Sequence, residues 1–160
     1  MEFIVDIQDF TANNGDFIPK EISILSRNGE KLEHFLLEPP YDWSQLNKSR
    51  RKESQWLLNN YHGLFWDSGF CPYSQTLENI QEKLSIASKI FVKGSRKKKY
   101  LHNKLNLSAE VIDLVQFPSL KIGNTINFSC FSHSSPSICA LRNVFVIKNW
   151  LDIITPKFVL

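Results

Sequence analysis

Apolar and polar residues alternate from the first positions of the chain. Phe3, Val5 and Ile7 fall on one side of an extended backbone and Ile4, Asp6 and Gln8 on the other, the period-two signature of a strand. Asn13-Asn14-Gly15-Asp16 reads as a turn, and residues 20–25 predict a second strand. Arg27-Asn28-Gly29-Glu30 places Asn-Gly at the centre of a hairpin turn. Residues 32–37 give a third strand, stopped by Pro39-Pro40. Three short strands joined by tight turns predict an antiparallel meander.

Residues 41–73 lose this regularity and are rich in rings: Tyr41, Trp43, Trp56, Tyr61, Phe65, Trp66, Phe70 and Tyr73. A short helix is expected over residues 55–60. From Thr76 the period turns helical, with Leu77, Ile80, Leu84 and Ala87 on one face and Ser74 or Thr76 as the cap. Ile90-Phe91-Val92 is a buried strand. Gly94-Ser95 opens a second helix with Tyr100, Leu101 and Leu105 inward, and Val111-Ile112-Asp113-Leu114 is a fifth strand. After a polar loop, residues 137–154 close the chain as a helix with Leu141, Val144, Phe145 and Leu151 on one side. The order β-β-β-α-β-α-β-α predicts an α/β fold. Its mixed five-stranded sheet has three antiparallel strands, then parallel ones, with flanking helices. That order resembles the RNase H-like superfamily.

A length of 160 residues suits one core, so residues 1–160 are expected to form a single domain. No apolar run approaches the ~18 residues of a membrane span. Glu2 and Asp6, with no basic segment beside them, make the N-terminus a poor signal peptide, and an intracellular location (cytoplasm or nucleus) is expected. Three cysteines are an odd number for a disulfide framework and favour a metal or packing role. The net charge of +3 excludes little, but the basic residues gather in two clusters. These are Lys48, Arg50, Arg51, Lys52 and Lys93, Arg96, Lys97, Lys98, Lys99. They are either solvated surface or phosphate contacts. The rings of residues 41–73 likewise either pack a loop down, stack on bases or dock a protein.

Two-metal nucleases need several carboxylates converging on cations about 4 Å apart. In the DEDD exonucleases the first strand supplies an Asp and a Glu two residues apart. This chain resembles them with Asp6 and Gln8 at those places. The stretch Ile90-Phe91-Val92-Lys93-Gly94-Ser95-Arg96-Lys97-Lys98 is similar to their second motif, with cations where an acid should open the helix. Ala140-Leu141-Arg142-Asn143 is similar to their third, with Asn143 at the last acid and Ile138 near the catalytic His. One acid of four survives, so no catalytic residue of this type is assigned. Asp6, Gln8 and Asn143 are expected to be vestigial nuclease positions.

Cys130-Phe131-Ser132-His133, then Cys139, sets two thiols and an imidazole within ten residues. Zinc takes such S and N ligands tetrahedrally; two buried thiols and a surface His would be the alternative. His62 or Cys71 could complete the set. The chain also resembles the Maelstrom domain, an RNase H-like fold that has lost the DEDD acids and carries a Glu-Cys-His-Cys zinc set. Phe17-Ile18-Pro19-Lys20-Glu21-Ile22, Lys93 and Cys130-x-x-His133-(five)-Cys139-Ala140-Leu141 carry that resemblance. It implies Glu21, Cys130, His133 and Cys139 as ligands of a closed, structural zinc.

The function expected from these residues is a zinc-stabilised pseudo-nuclease of DEDDh-exonuclease ancestry that binds nucleic acid, single-stranded RNA above all. Lys93, Arg96, Lys97, Lys98 and Lys99 are its expected phosphate contacts. Two alternatives stand beside it: a ribonuclease working through a non-DEDD site, as the Maelstrom resemblance implies, and a protein-interaction module using the 41–73 segment.

Overall fold

The computed structural model describes residues 1–121, 130–134 and 138–155. Strand β1 (Glu2–Thr11) is the middle of a five-stranded sheet of order β3-β2-β1-β4-β5. It pairs antiparallel with β2 (Phe17–Ser26), which pairs antiparallel with β3 (Leu32–Leu36). On its other side β1 runs parallel to β4 (Lys89–Val92), and β4 to β5 (Glu110–Asp113). This is the mixed sheet that the element order predicts.

The alternation along β1 sorts two cores. Phe3, Val5 and Ile7 meet Ile22, Ile24 and, from α2 (Tyr73–Leu84), Ile80 and Leu84. Tyr100 and Leu101 join this face from a π turn (Tyr100–Lys104) that continues the short helix α3 (Ser95–Lys99). Ile4 and Leu25 meet Val144, Ile147 and Leu151 of α4 (Ala140–Ile154) on the other face. Asp6, Gln8 and Glu21 therefore point to the α4 side, with Gln8 and Glu21 directly paired across the strands.

The β1–β2 register shifts just past that pair, so that Asp9 faces Pro19. Proline cannot donate to a ladder and is tolerated at such a bulge. Lys20 sits in the bulge, buried, and its ammonium donates to the carbonyls of Trp66 and Ser68. That bond ties the ring-rich segment to the sheet, and burial pulls the lysine pKa down to about 8.

Several boundaries differ from the pattern. The first helix, α1, covers Lys48–Asn60 rather than residues 55–60 alone. Asn47 caps it by accepting from the Arg50 N–H at 2.9 Å, and that cap went unread in the sequence. Helix α2 begins earlier than expected, after Pro72, with neither Ser74 nor Thr76 bonded as a cap. Helix α4 is described from Ala140; Ser137, its expected start, lies outside the described residues. The rings of 41–73 divide. Tyr41, Trp43, Trp66 and Tyr73 pack with Phe10, Ile18 and Leu46, while Trp56, Tyr61, Phe65 and Phe70 are exposed.

Candidate metal centre and the adjoining polar cluster

Glu21 is fully buried, a placement no free carboxylate tolerates. Its Oε1 accepts the Ala140 N–H at 2.7 Å, so it caps α4, whose N-cap residue Cys139 makes no side-chain cap bond. Its Oε2 lies 3.0 Å from His133 Nε2, 3.1 Å from Cys130 Sγ and 3.7 Å from Cys139 Sγ. The two Sγ atoms are 3.8 Å apart. That is far beyond a disulfide bond, about 2 Å, but it is the edge of a tetrahedron with metal–sulfur bonds of about 2.3 Å. One donor atom from each of Glu21, Cys130, His133 and Cys139 lies within 4.8 Å of every other, and the cluster could hold a metal ion.

The surroundings orient these donors. His133 Nδ1–H donates to the His62 carbonyl, which leaves Nε2 turned to the cluster. His34, on β3, brings its Nε2 within 2.9 Å of Glu21 Oε2. Burial pushes the Glu21 carboxyl up, but the His133 and His34 bonds and the Ala140 N–H outweigh it and hold the group below the usual carboxylate range. The bond from Cys130, aided by His133, lowers the Cys139 thiol to about 4, while Cys130 itself is pushed up. Burial disfavours charge on His133, yet Cys139 and Glu21 together raise its pKa to about 10. A metal cation held by these four donors would displace the protons they share.

His62 and Cys71 are not part of the cluster. His62 Nε2 donates to the Asp9 carbonyl and its Nδ1 accepts from the Leu64 N–H, each at 3.1 Å; burial keeps it neutral, with a pKa near 4. Cys71 bridges to Leu37 at the sheet edge. Sequence reasoning missed His34. The hairpin register could have found it, because counting back from Gly29 pairs Ser23 with His34 and sets it diagonal to Glu21 on the same face.

A second polar cluster adjoins the first. Asp6, Gln8 and Asn143 come together on the α4 face, all buried. Asp6 Oδ2 accepts from Gln8 Nε2 at 3.0 Å and from Asn143 Nδ2 at 2.8 Å. Asp6 Oδ1 accepts from the Lys97 ammonium at 2.6 Å, forming a pair with side-chain exposures of 16% and 0%. Burial works against the Lys97 charge, but Asp6 prevails and raises its pKa.

The basic residues of this turn divide. Gly94, at φ +135°, reverses the chain in a conformation other residues rarely adopt, and its N–H donates to Asp113 at 2.9 Å. Lys93 Nζ donates to the Leu120 carbonyl at 2.6 Å. Arg96 pairs with Asp9 at 3.1 Å and lies over the Phe17 ring. Lys97 points inward to Asp6, and Lys98 and Lys99 are exposed.

Sheet order and the helices packed on its two faces define a mixed five-stranded α/β fold. E. coli exonuclease I, solved in complex with a dT13 oligonucleotide, has a similar fold, with a TM-score of 0.60 over 96% of this chain at 9% identity. The match spans 40% of that enzyme's chain. No protein-family model matches the sequence, and no curated protein matches it either. Among the described residues, no helix is long and apolar enough to cross a membrane.

Proposed function

We propose that the chain is a zinc-stabilised pseudo-nuclease domain, spanning residues 1–160, that binds single-stranded nucleic acid, with RNA as its ligand. The observation that carries this reading is the Asp6–Lys97 pair. In a two-metal nuclease a carboxylate at this position neutralises a cation; here an ammonium from the chain itself does so. Gln8 and Asn143 complete the carboxylate's hydrogen bonds with neutral amides. In this reading the groove for the strand runs past this pair, which offers no charge to a second cation. Lys98 and Lys99 are exposed on the same short helix as Lys97, and Arg96 lies beside them in its pair with Asp9, a basic turn suited to phosphate; exonuclease I, of similar fold, was solved in complex with an oligonucleotide.

Zinc fits the donor set. Two thiolates, an imidazole and a carboxylate make a closed site with no position for a reacting water. Glu21, Cys130, His133 and Cys139 would then fasten the start of α4 to β2. The gain in folding free energy would be on the order of 10 kcal/mol. Trimming and binding assays test the whole reading. RNA binding that needs no added magnesium, with no Mg-dependent 3′ trimming, is expected; processive trimming lost in Asp6→Ala would overturn it.

A second reading, a ribonuclease independent of the DEDD acids, draws on Asp9, which pairs with Arg96 at 3.1 Å. Burial raises the pKa of Asp9 to about 6, against the lowering effect of Arg96 and Lys97. An acid titrating near neutrality beside cations suits general base work on a 2′-hydroxyl. Cuts in RNA but not in DNA of the same sequence, lost in Asp9→Asn, would favour it. The protein-docking reading rests on the exposed Trp56, Tyr61, Phe65 and Phe70.

A further inference from the structure

Helix α1 carries a face that neither polar cluster uses. Lys48, Arg51, Lys52, Gln55, Trp56 and Asn59 recur at helical spacing, and all six are exposed. They form one stripe about 17 Å long. The opposite side supplies the packing, through buried Ser54 and half-buried Leu57 and Leu58. Arg50 lies off the stripe and pairs with Glu53 at 2.8 Å. Arg51 donates from Nε to the Leu46 carbonyl at 2.8 Å. Among the described residues, no acid pairs with Lys48, Arg51 or Lys52.

Folding does not account for this arrangement. Cations in a first helical turn oppose the helix dipole, and this first turn holds no acid to offset them. Trp56, at 56% exposure, leaves a large ring in water that helix propensity does not require. Clustered positive charge beside an open aromatic face fits a ligand that is both anionic and flat-faced. Nucleic acid has phosphates and bases at close intervals, whereas an acidic peptide matches only the charge.

The stripe also leads to the groove. Tyr61 follows directly on α1, and its carbonyl accepts the Ile138 N–H at 3.2 Å, close to the start of α4. The next residue, His62, bonds to the carbonyl of Asp9, the partner of Arg96. A strand leaving the basic turn at Arg96 would pass the half-exposed Tyr61 ring before reaching Trp56 and the three cations.

We infer that this face of α1 is a second contact surface for single-stranded RNA, continuous with the groove. Trp56 stacks on a base, and Lys48, Arg51 and Lys52 meet phosphates. The inference rests on the nucleic-acid reading above. The test is a salt-resolved titration of a long oligouridylate against the wild-type chain and three variants of exposed residues, with folding checked by the unfolding midpoint. Trp56→Ala should weaken binding roughly tenfold while leaving the salt slope unchanged. The triple variant Lys48→Ala, Arg51→Ala, Lys52→Ala should flatten that slope by up to about 2. The third variant, Lys98→Ala with Lys99→Ala, separates the two ideas. If it alone weakens binding, the α1 surface is refuted and the groove stands. If only the α1 variants weaken binding, the α1 surface stands and the groove fails. A wild-type chain that binds no oligouridylate overturns both. So does a chain that ignores RNA and binds polyglutamate equally well with and without Trp56, since that surface would serve an acidic protein.

Discussion

Lys97 Nζ lies 2.6 Å from Asp6 Oδ1, on a carboxylate with no solvent exposure. Removing one partner of such a pair leaves a buried charge, which costs about 3–5 kcal/mol. Lys97→Met should therefore lower the urea unfolding free energy by that amount. Asp6→Asn combined with Lys97→Met should recover much of the loss, because two neutral groups replace two charges. If the single and double variants are equally stable, the pair does not fill the site.

This pair shows where legibility stopped. The alternation along β1 put Asp6 and Gln8 on one face, and the sequence motifs set Asn143 opposite them; all three meet. Sequence alone groups Lys97 with Lys93, Arg96, Lys98 and Lys99 as phosphate contacts. The pattern of a short basic run does not say which lysine turns inward. That is decided after the Gly94 reversal, by which residue of the short helix α3 faces Asp6. Glu21 depended on a family resemblance, because a carboxylate over a hundred residues from the cysteines has no local spacing to betray it. The sheet order was readable because turns and period-two strands are local features. The start of α1 was not, because a single Asn cap among polar residues decided it.

Metal content is a direct measurement. The purified chain should carry one zinc per molecule, and Cys139→Ser should lose both the metal and much of the stability. Chelation should lower the unfolding midpoint, since four clustered donors would lose the ion that fastens α4 to β2. A metal-free chain whose unfolding is indifferent to chelators would remove zinc from the account.

Asp9 gives a pH dependence of known sign. Burial raises its folded pKa from 3.8 to about 6, so between these values the folded state holds the proton more tightly than the unfolded one. Its contribution to stability is complete below about 4 and is lost as pH rises through about 6. Wild type compared with Asp9→Asn should accordingly lose roughly 1–3 kcal/mol of relative stability between pH 4 and 7. Parallel stability curves for the two proteins would mean that Asp9 titrates normally.

The last expectation concerns how the basic turn meets phosphate. Each phosphate contact on a single strand contributes roughly 0.7 to the slope of log K against log salt. Lys98 and Lys99 are exposed, whereas Lys97 is committed to Asp6 and Lys93 to the Leu120 carbonyl. Changing Lys97, Lys98 and Lys99 to Ala together should therefore flatten the slope by one or two contacts rather than three. The double variant at Lys98 and Lys99 should flatten it just as much without the stability loss. Arg96 differs again, because a phosphate must draw it away from Asp9. Protonating Asp9 frees that guanidinium, so the contribution of Arg96 to RNA affinity should grow as pH falls from 7 toward 5. Comparing Arg96→Ala with wild type across that range measures it. A difference that does not change with pH would show that protonating Asp9 does not release Arg96 to the strand.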